Sequence, residues 1–111
     1  MSTSKEFLEY TLDLLSSVGP IQTTRMFGGV LLKVSGVQLG VILMETIYFK
    51  VTDPALQDKY KKMGSTQFTY TRKDKKDPVI IKNWWSVPEK ALDNAEEMTA
   101  LAQEALAQNT E

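Results

Sequence analysis

The sequence contains neither cysteine nor histidine. The lack of cysteine excludes disulfides, thiol nucleophiles and thiolate metal ligands. The lack of histidine removes a usual ligand of zinc and haem, and general acid–base catalysis near neutral pH would need a carboxylate or lysine with a strongly shifted pKa. Only scattered carboxylates, lysines and hydroxyls remain. We therefore expect a protein that is not an enzyme and that has no catalytic residues, no cofactor and no metal site.

Long hydrophobic segments are absent as well. The longest largely apolar run covers residues 37–44 and is far too short to cross a bilayer as a helix. Residues 1–6 lack the apolar stretch that follows the basic start of a signal peptide. We therefore expect a soluble, cytoplasmic protein without membrane contacts, and the absence of cysteine fits a reducing compartment.

Three stretches carry apolar residues at helical spacing. The first, at about 4–18, ends at Gly19-Pro20, because glycine permits the left-handed conformation and proline cannot continue a helix. Asp53 caps a second helix, and a third begins near residue 94. Residues 108–111 are expected to fray, as chain ends usually do.

Between the helices, apolar and polar residues alternate with the period of β-strands. Ser35-Gly36 predicts a two-residue hairpin turn. The strands are expected at about residues 23–27, 30–34, 37–44, 47–51, 66–71 and 79–85. A length of 111 residues suits a single domain. The expected fold class is α+β: a mostly antiparallel sheet of about five to six strands, with an N-terminal, a middle and a C-terminal helix packed on it.

Strict alternation divides the sheet into two faces that are both partly apolar. One face would carry Val30, Leu32, Val34, Val37, Leu39, Val41, Leu43, Ile47, Phe49 and Val51. The other would carry Lys33, Gln38, Tyr48 and Lys50, together with Leu31, Ile42 and Met44. This second face is too apolar to be simply solvated, so either helices cover both faces or part of it meets a partner.

Charge is unevenly distributed along the chain. The net charge is −1, but residues 50–82 hold nine basic and four acidic groups, whereas residues 83–111 hold one basic and six acidic groups. Such asymmetry can indicate a nucleic-acid face or an acidic partner. The alternative is that the two segments are neighbours in the fold and neutralise each other.

Several sequence motifs occur in a recognisable order. They are Arg-Met-Phe-Gly-Gly at 25–29, Ile-Tyr-Phe-Lys-Val at 47–51, Phe-Thr-Tyr at 68–70 and Trp-Trp-Ser-Val-Pro-Glu at 84–89. A final helix with Ala102 and Ala105 follows. As a set, over about residues 7–107, the chain resembles the TfoX (Sxy) N-terminal domain family, which is named for regulators of natural competence.

The resemblance implies an α+β domain with a role near the transcriptional control of DNA-uptake genes. In that family the founding regulators are thought to act with the cyclic-AMP receptor protein, and they carry a second, C-terminal domain. The present sequence stops before such a domain and therefore resembles a stand-alone copy. It departs from the family pattern at Lys82, where an apolar residue is expected, and at Trp84, which replaces the usual tyrosine.

Five residues are candidates for binding: Arg25, Gly28, Gly29, Lys50 and Trp84. The planar guanidinium of Arg25 could clamp a carboxylate or phosphate, or pair with Glu45 or with an acid of the first helix. The glycine pair suggests a bulge, a sharp bend or a close backbone approach rather than a phosphate-binding loop. Trp84 could stack on a partner or pack beneath a helix.

Three functions agree with these observations. The first is a regulatory module that binds another protein, such as a transcription regulator or a second copy, through the apolar second sheet face. The second is nucleic-acid binding by the basic segment 50–82, with Tyr48, Phe68 and Tyr70 as further stacking residues. The third is a sensor of a small anionic ligand, with Arg25 and Lys50 at one pocket.

Overall fold

The computed structural model describes residues 5–26, 29–43, 46–71 and 78–109. These residues form three α-helices, one 3₁₀ helix and a six-stranded antiparallel sheet, which confirms the predicted α+β class. No helix among them is long and apolar enough to cross a membrane. The elements are α1 (Lys5–Leu14), β1 (Ile21–Met26), β2 (Gly29–Val34), β3 (Val37–Leu43), β4 (Thr46–Lys50), α2 (Pro54–Lys62), β5 (Gln67–Thr71), β6 (Pro78–Ser86), the 3₁₀ helix (Glu89–Asp93) and α3 (Ala95–Asn109).

The strands are arranged in the order β1-β2-β3-β4-β6-β5. The first four follow one another as a meander, because short turns can join only neighbouring antiparallel strands. The longer passage through α2 and β5 then brings β6 beside β4, where Phe49 pairs with Trp85. β1 and β5 are therefore the two edges of the sheet.

Local sequence rules account for most element ends. Ser35 and Gly36 have φ angles of 52° and 81°, as the predicted two-residue hairpin requires. α1 ends at Leu14, four residues before the predicted end, and a turn over 15–18 leads to Gly19, whose φ is 133°. The Asp53 carboxylate accepts a hydrogen bond from the Leu56 amide at 3.2 Å, which confirms the predicted cap of α2. Asn94 caps α3 in the same way.

The sheet contains a β-bulge that strict alternation did not anticipate. Leu32 pairs with Gly40 but Lys33 pairs with Gln38, so Leu39 is an extra residue in β3. From Gly40 onward each side chain of β3 consequently faces the side opposite to the predicted one. The placement of Val41 and Leu43 in the core and of Ile42 on the second face was therefore wrong. Met44, predicted on the second face, lies outside the described residues.

All three helices pack on one face of the sheet. The buried strand residues of the core cluster have side chains on that face of the sheet. The helices add buried side chains to the same cluster. α3 lies across β3 and β4, and α1 contacts α3. The core is made of Leu15, Val30, Leu32, Val34, Leu39, Ile42, Ile47, Phe49, Val51, Leu56, Tyr60, Trp85, Val87, Ala91, Met98, Leu101, Ala102 and Ala105.

The end of α3 is anchored rather than frayed. The Gln108 side-chain oxygen accepts hydrogen bonds from the Thr52 amide at 2.6 Å and the Asp53 amide at 2.9 Å. Its amide nitrogen donates to the Lys50 carbonyl at 2.8 Å, and the Asn109 amide nitrogen donates to the carbonyls of Lys50 and Gln38. The prediction of fraying from residue 108 was wrong for these two residues, because hydropathy does not reveal side-chain amides that bind distant backbone.

Tyr60 is the largest fully buried side chain of the core. Its hydroxyl has no hydrogen-bond partner among the described residues. Burial, followed by the nearby Glu104 carboxylate, raises the pKa of Tyr60 well above its ordinary value of 10.0. The phenol is therefore held neutral and unsatisfied inside the protein, which is unfavourable for the folded state.

Tyr60→Phe is expected to stabilise the fold by about 1 kcal/mol, because it removes an unsatisfied buried hydroxyl and leaves the ring. The gain should increase at alkaline pH. Above pH 10.0 the phenol ionises in the unfolded chain but stays neutral in the folded protein, because its folded pKa is raised. Rising pH therefore destabilises the unmodified protein through this group and leaves the phenylalanine variant unaffected. Urea unfolding of both proteins at about pH 7 and about pH 11 measures this. A variant that is less stable at both pH values would contradict the prediction.

Candidate interaction surface

The sheet face opposite the helices is the candidate functional surface, and we call it the open face. Cross-strand pairing places a ladder of residues on it from Thr24 through Leu31, Val41 and Tyr48 to Ser86. No described helix packs against this side. The open face consists of Gln22, Thr24, Leu31, Lys33, Gln38, Val41, Leu43, Thr46, Tyr48, Lys50, Phe68, Trp84 and Ser86.

The open face has an aliphatic centre. Leu31 and Val41 lie opposite each other and are only 8% and 3% exposed, although they do not belong to the helix-covered core cluster. Leu43 beside them is half-buried. The accessible apolar surface of the open face therefore comes from the residues around this centre.

Aromatic side chains extend the apolar surface toward β5 and β6. The rings of Tyr48 and Phe68 meet edge to face, with centroids 5.1 Å apart and planes at 70°. Trp84 is half-buried and lies in register with Lys50, two residues along β4 from Tyr48. Burial raises the pKa of Tyr48, and the hydrogen bond with the Thr46 side chain acts in the opposite direction. Tyr48 is therefore neutral at physiological pH, and its ring is partly buried.

The two tryptophans are neighbours on β6, so their side chains point to opposite sides of the sheet. Trp85 is 7% exposed and belongs to the core beneath the helices, whereas Trp84 lies on the open face. The interpretation that a tryptophan here packs under a helix therefore holds for Trp85. For Trp84 the surface interpretation fits the structure.

The described positions of the open face include two lysines, Lys33 and Lys50, and no carboxylate. The described acidic groups of the final segment lie on α3 or on the 3₁₀ helix before it, on the other side of the sheet, and Glu111 lies outside the described residues. There Glu104 forms an ion pair of 3.0 Å with Lys59 of α2. The described parts of the basic and acidic segments thus meet at this ion pair on the helix side, and the basic residues at 72–76 lie outside the described residues. The described open face keeps a weak positive charge.

Gly29 and Arg25 lie at the other end of the sheet, on β2 and β1. A Cβ atom on Gly29 would overlap the Ile42 carbonyl and lie 2.5 Å from Leu43 Cδ2, so glycine permits close contact of β2 with β3. Gly28 lies outside the described residues. Arg25 is exposed on β1 and pairs with Val30, which puts its side chain on the helix side of the sheet.

The five binding candidates do not form one site. Lys50 and Trp84 are neighbours on the open face. Arg25 is three strands away from Lys50, or about 14 Å at ordinary strand spacing, and points to the opposite side. The arrangement gives no shared pocket in which Arg25 and Lys50 could hold one small anion. No described acid pairs with Arg25, and Glu45 lies outside the described residues.

Other parts of the described structure are weaker candidates for a binding site. A groove of about 270 Å³ between the end of α1 and the start of α3 is lined by small and polar residues and one acid, Glu96, and by none of the candidates. No group of three or more carboxylates in the described part of the chain is placed to hold a metal ion.

Sequence reasoning missed Val41 and Leu43 as members of the open face. The signal that could have identified them is Gly40, because a glycine inside an apolar strand often marks a bulge or a close backbone approach. A bulge one residue earlier reverses the alternation, which brings Val41 and Leu43 to the face that also carries Tyr48.

Comparison with known proteins gives one family. The sequence model described as the TfoX N-terminal domain matches residues 13–109, nearly all of the 111-residue chain. No curated protein matches the chain.

Proposed function

The chain belongs to the TfoX N-terminal domain family, and we propose that it is a regulatory domain that acts by binding a partner protein on its open face, not by catalysing a reaction. Membership associates the chain with the regulation of competence. The binding mode and the partner are our proposal.

One observation carries this proposal: the helices cover one sheet face and leave an aliphatic and aromatic surface on the other. Antiparallel sheets commonly keep one face in water, but that face is then mostly polar. Here Leu43, Tyr48, Phe68 and Trp84 offer partly exposed apolar surface instead. Aromatic residues are enriched at the centres of protein interfaces, where they supply much of the binding energy.

The family resemblance supports a proposal for the class of partner. A transcription regulator is the proposed partner, since the founding members of the family are thought to act with the cyclic-AMP receptor protein. A second copy of the chain is the alternative occupant of the same face. With a transcription regulator as the partner, the proposed location is the cytoplasm, where transcription takes place.

Trp84→Ala and Tyr48→Ala are each expected to weaken binding of the cyclic-AMP receptor protein about tenfold or more, as truncation of an interface aromatic typically does. Tyr10→Ala is the matched control, because Tyr10 is 44% exposed on α1, on the helix side. Biolayer interferometry measures the affinities, and light scattering reports self-association. A receptor that binds all four proteins equally, or none of them while the protein stays monomeric, would remove the support for this function.

Nucleic-acid binding is a second candidate, favoured by the aromatic rings of Tyr48, Phe68 and Trp84 beside Lys50. The described lysines of the basic segment lie on different sides of the sheet, however: Lys59 and Lys62 form ion pairs on the helix side, whereas Lys50 lies on the open face. If single-stranded DNA binds, its affinity should fall steeply with salt. Absence of binding at low salt would exclude this candidate.

A further inference from the structure

The outer edge of β1 is a second place where the protein can accept a partner. β1 pairs on one side with β2 over all six of its residues, and nothing follows it in the sheet order. In an antiparallel pair, alternate backbone amide and carbonyl groups point away from the partner strand. No hydrogen bond joins the outer side of β1 to any other described segment.

The two edges of the sheet differ in how they are protected. β5 has a break in its register with β6 between Gln67 and Phe68, and such irregularities discourage pairing with another chain. β1 has no such break: its pairing with β2 is regular from Ile21 to Met26. Its sequence also contains no lysine, proline, aspartate or glutamate, which are the residues that usually guard an edge. The side chains of residues 22–25 are all exposed.

We propose that the outer edge of β1 binds an extended segment of a partner protein by strand addition, with a carboxylate of that segment opposite Arg25. Strand addition supplies backbone hydrogen bonds, and side chains at alternate positions supply specificity. Arg25 is the one charged residue of β1, is exposed, and has no ion pair with a described acid. A carboxylate could therefore bind its guanidinium through two parallel hydrogen bonds.

Charge complementarity selects a different protein over a second copy. If two β1 strands paired about a two-fold axis, Arg25 would lie opposite another residue of the same strand. None of those residues is acidic. The edge also differs in position from the open face, because Arg25 points to the helix side. The inference thus does not depend on which partner the open face binds.

The test selects peptides from a displayed library of random twelve-residue sequences against the full protein. We expect enrichment of extended sequences that contain an acid. Arg25→Glu should weaken their binding at least about tenfold, because it places two negative charges opposite each other. Lys61→Glu is the matched control, since Lys61 is exposed on α2 and away from the edge, and it should leave binding unchanged.

Strand addition has its own chemical test. Methylating the backbone nitrogens of alternate residues in a selected peptide should abolish binding for one alternate set and leave it intact for the other, because only one set donates to β1. Hydrogen exchange of the outward-pointing amides among residues 22–25 should slow when the peptide binds.

Four results with the peptides would overturn the inference. They are the absence of any enriched peptide, equal binding to Arg25→Glu and to the unmodified protein, equal sensitivity to both methylation sets, and loss of binding on Tyr48→Ala with the edge variant unaffected. The last would place the peptides on the open face. A dimer of the protein alone, with slowed exchange at residues 22–25, would assign the edge to a second copy and also overturn it.

Discussion

Gly40→Ala is expected to destabilise the protein by about 3 kcal/mol or more, which is a large part of the stability of a small domain. An added Cβ would overlap the Tyr48 carbonyl oxygen and lie 2.9 Å from Phe49 Cα. These are backbone atoms of β4, so the clash cannot be relieved by a side-chain rotation. Relief would require β3 and β4 to separate where Gly40 pairs with Phe49.

Gly64→Ala is the control for the loss of glycine itself. Gly64 has φ of 90° and no atom within 4 Å of an added Cβ, so alanine there costs about 1 to 2 kcal/mol of backbone strain alone. Urea unfolding at neutral pH compares the two variants with the unmodified protein. If Gly40→Ala were no more destabilising than Gly64→Ala, the close contact of β3 with β4 at the bulge would be incorrect.

The position of Gly40 links stability to the surface. The bulge beside it turns Ile42 into the core and brings Val41 and Leu43 to the open face. A variant that removed the bulge and kept the strand would turn Val41 and Leu43 toward the core and Ile42 toward the open face. The apolar character of the open face thus depends on a backbone irregularity and not only on the choice of residues.

Gln108→Ala is expected to cost about 2 kcal/mol, because it removes three hydrogen bonds that join the end of α3 to other elements. The side chain joins the end of α3 to the start of α2 through the Thr52 and Asp53 amides, and to β4 through the Lys50 carbonyl. Chemical denaturation and hydrogen exchange of the Thr52 and Asp53 amides measure the effect.

Gln103→Ala is the matched control on the same helix. Gln103 is exposed, so the same substitution there should change the free energy of unfolding by no more than about 0.5 kcal/mol. Similar values for the two variants would show that the hydrogen bonds of Gln108 contribute little. The Lys50 side chain lies on the open face, while the Lys50 carbonyl accepts a hydrogen bond from Gln108 on the helix side. The same experiment therefore tests how much the end of α3 stabilises this part of the open face.

The local sequence by itself determined the elements and their ends. Glycine, proline and capping residues specify turns and helix starts through their own backbone preferences, and these act over a few residues. The Ser35-Gly36 turn and the Asp53 cap consequently lie where their chemistry predicts, whereas α1 ends at Leu14, before the predicted stop at Gly19. Periodicity likewise identified three helices and six strands, since each period reflects the geometry of a single element.

Tertiary structure decided the features on which function depends. Whether the helices share one face of the sheet, where Leu39 inserts an extra residue, and which distant backbone Gln108 binds are all settled by contacts between segments far apart in the chain. Residue identity in one segment carries no information about its partner in another. The candidate residues were therefore found from the sequence, whereas the separation of Arg25 from Lys50 and Trp84 came only from the pairing of the strands.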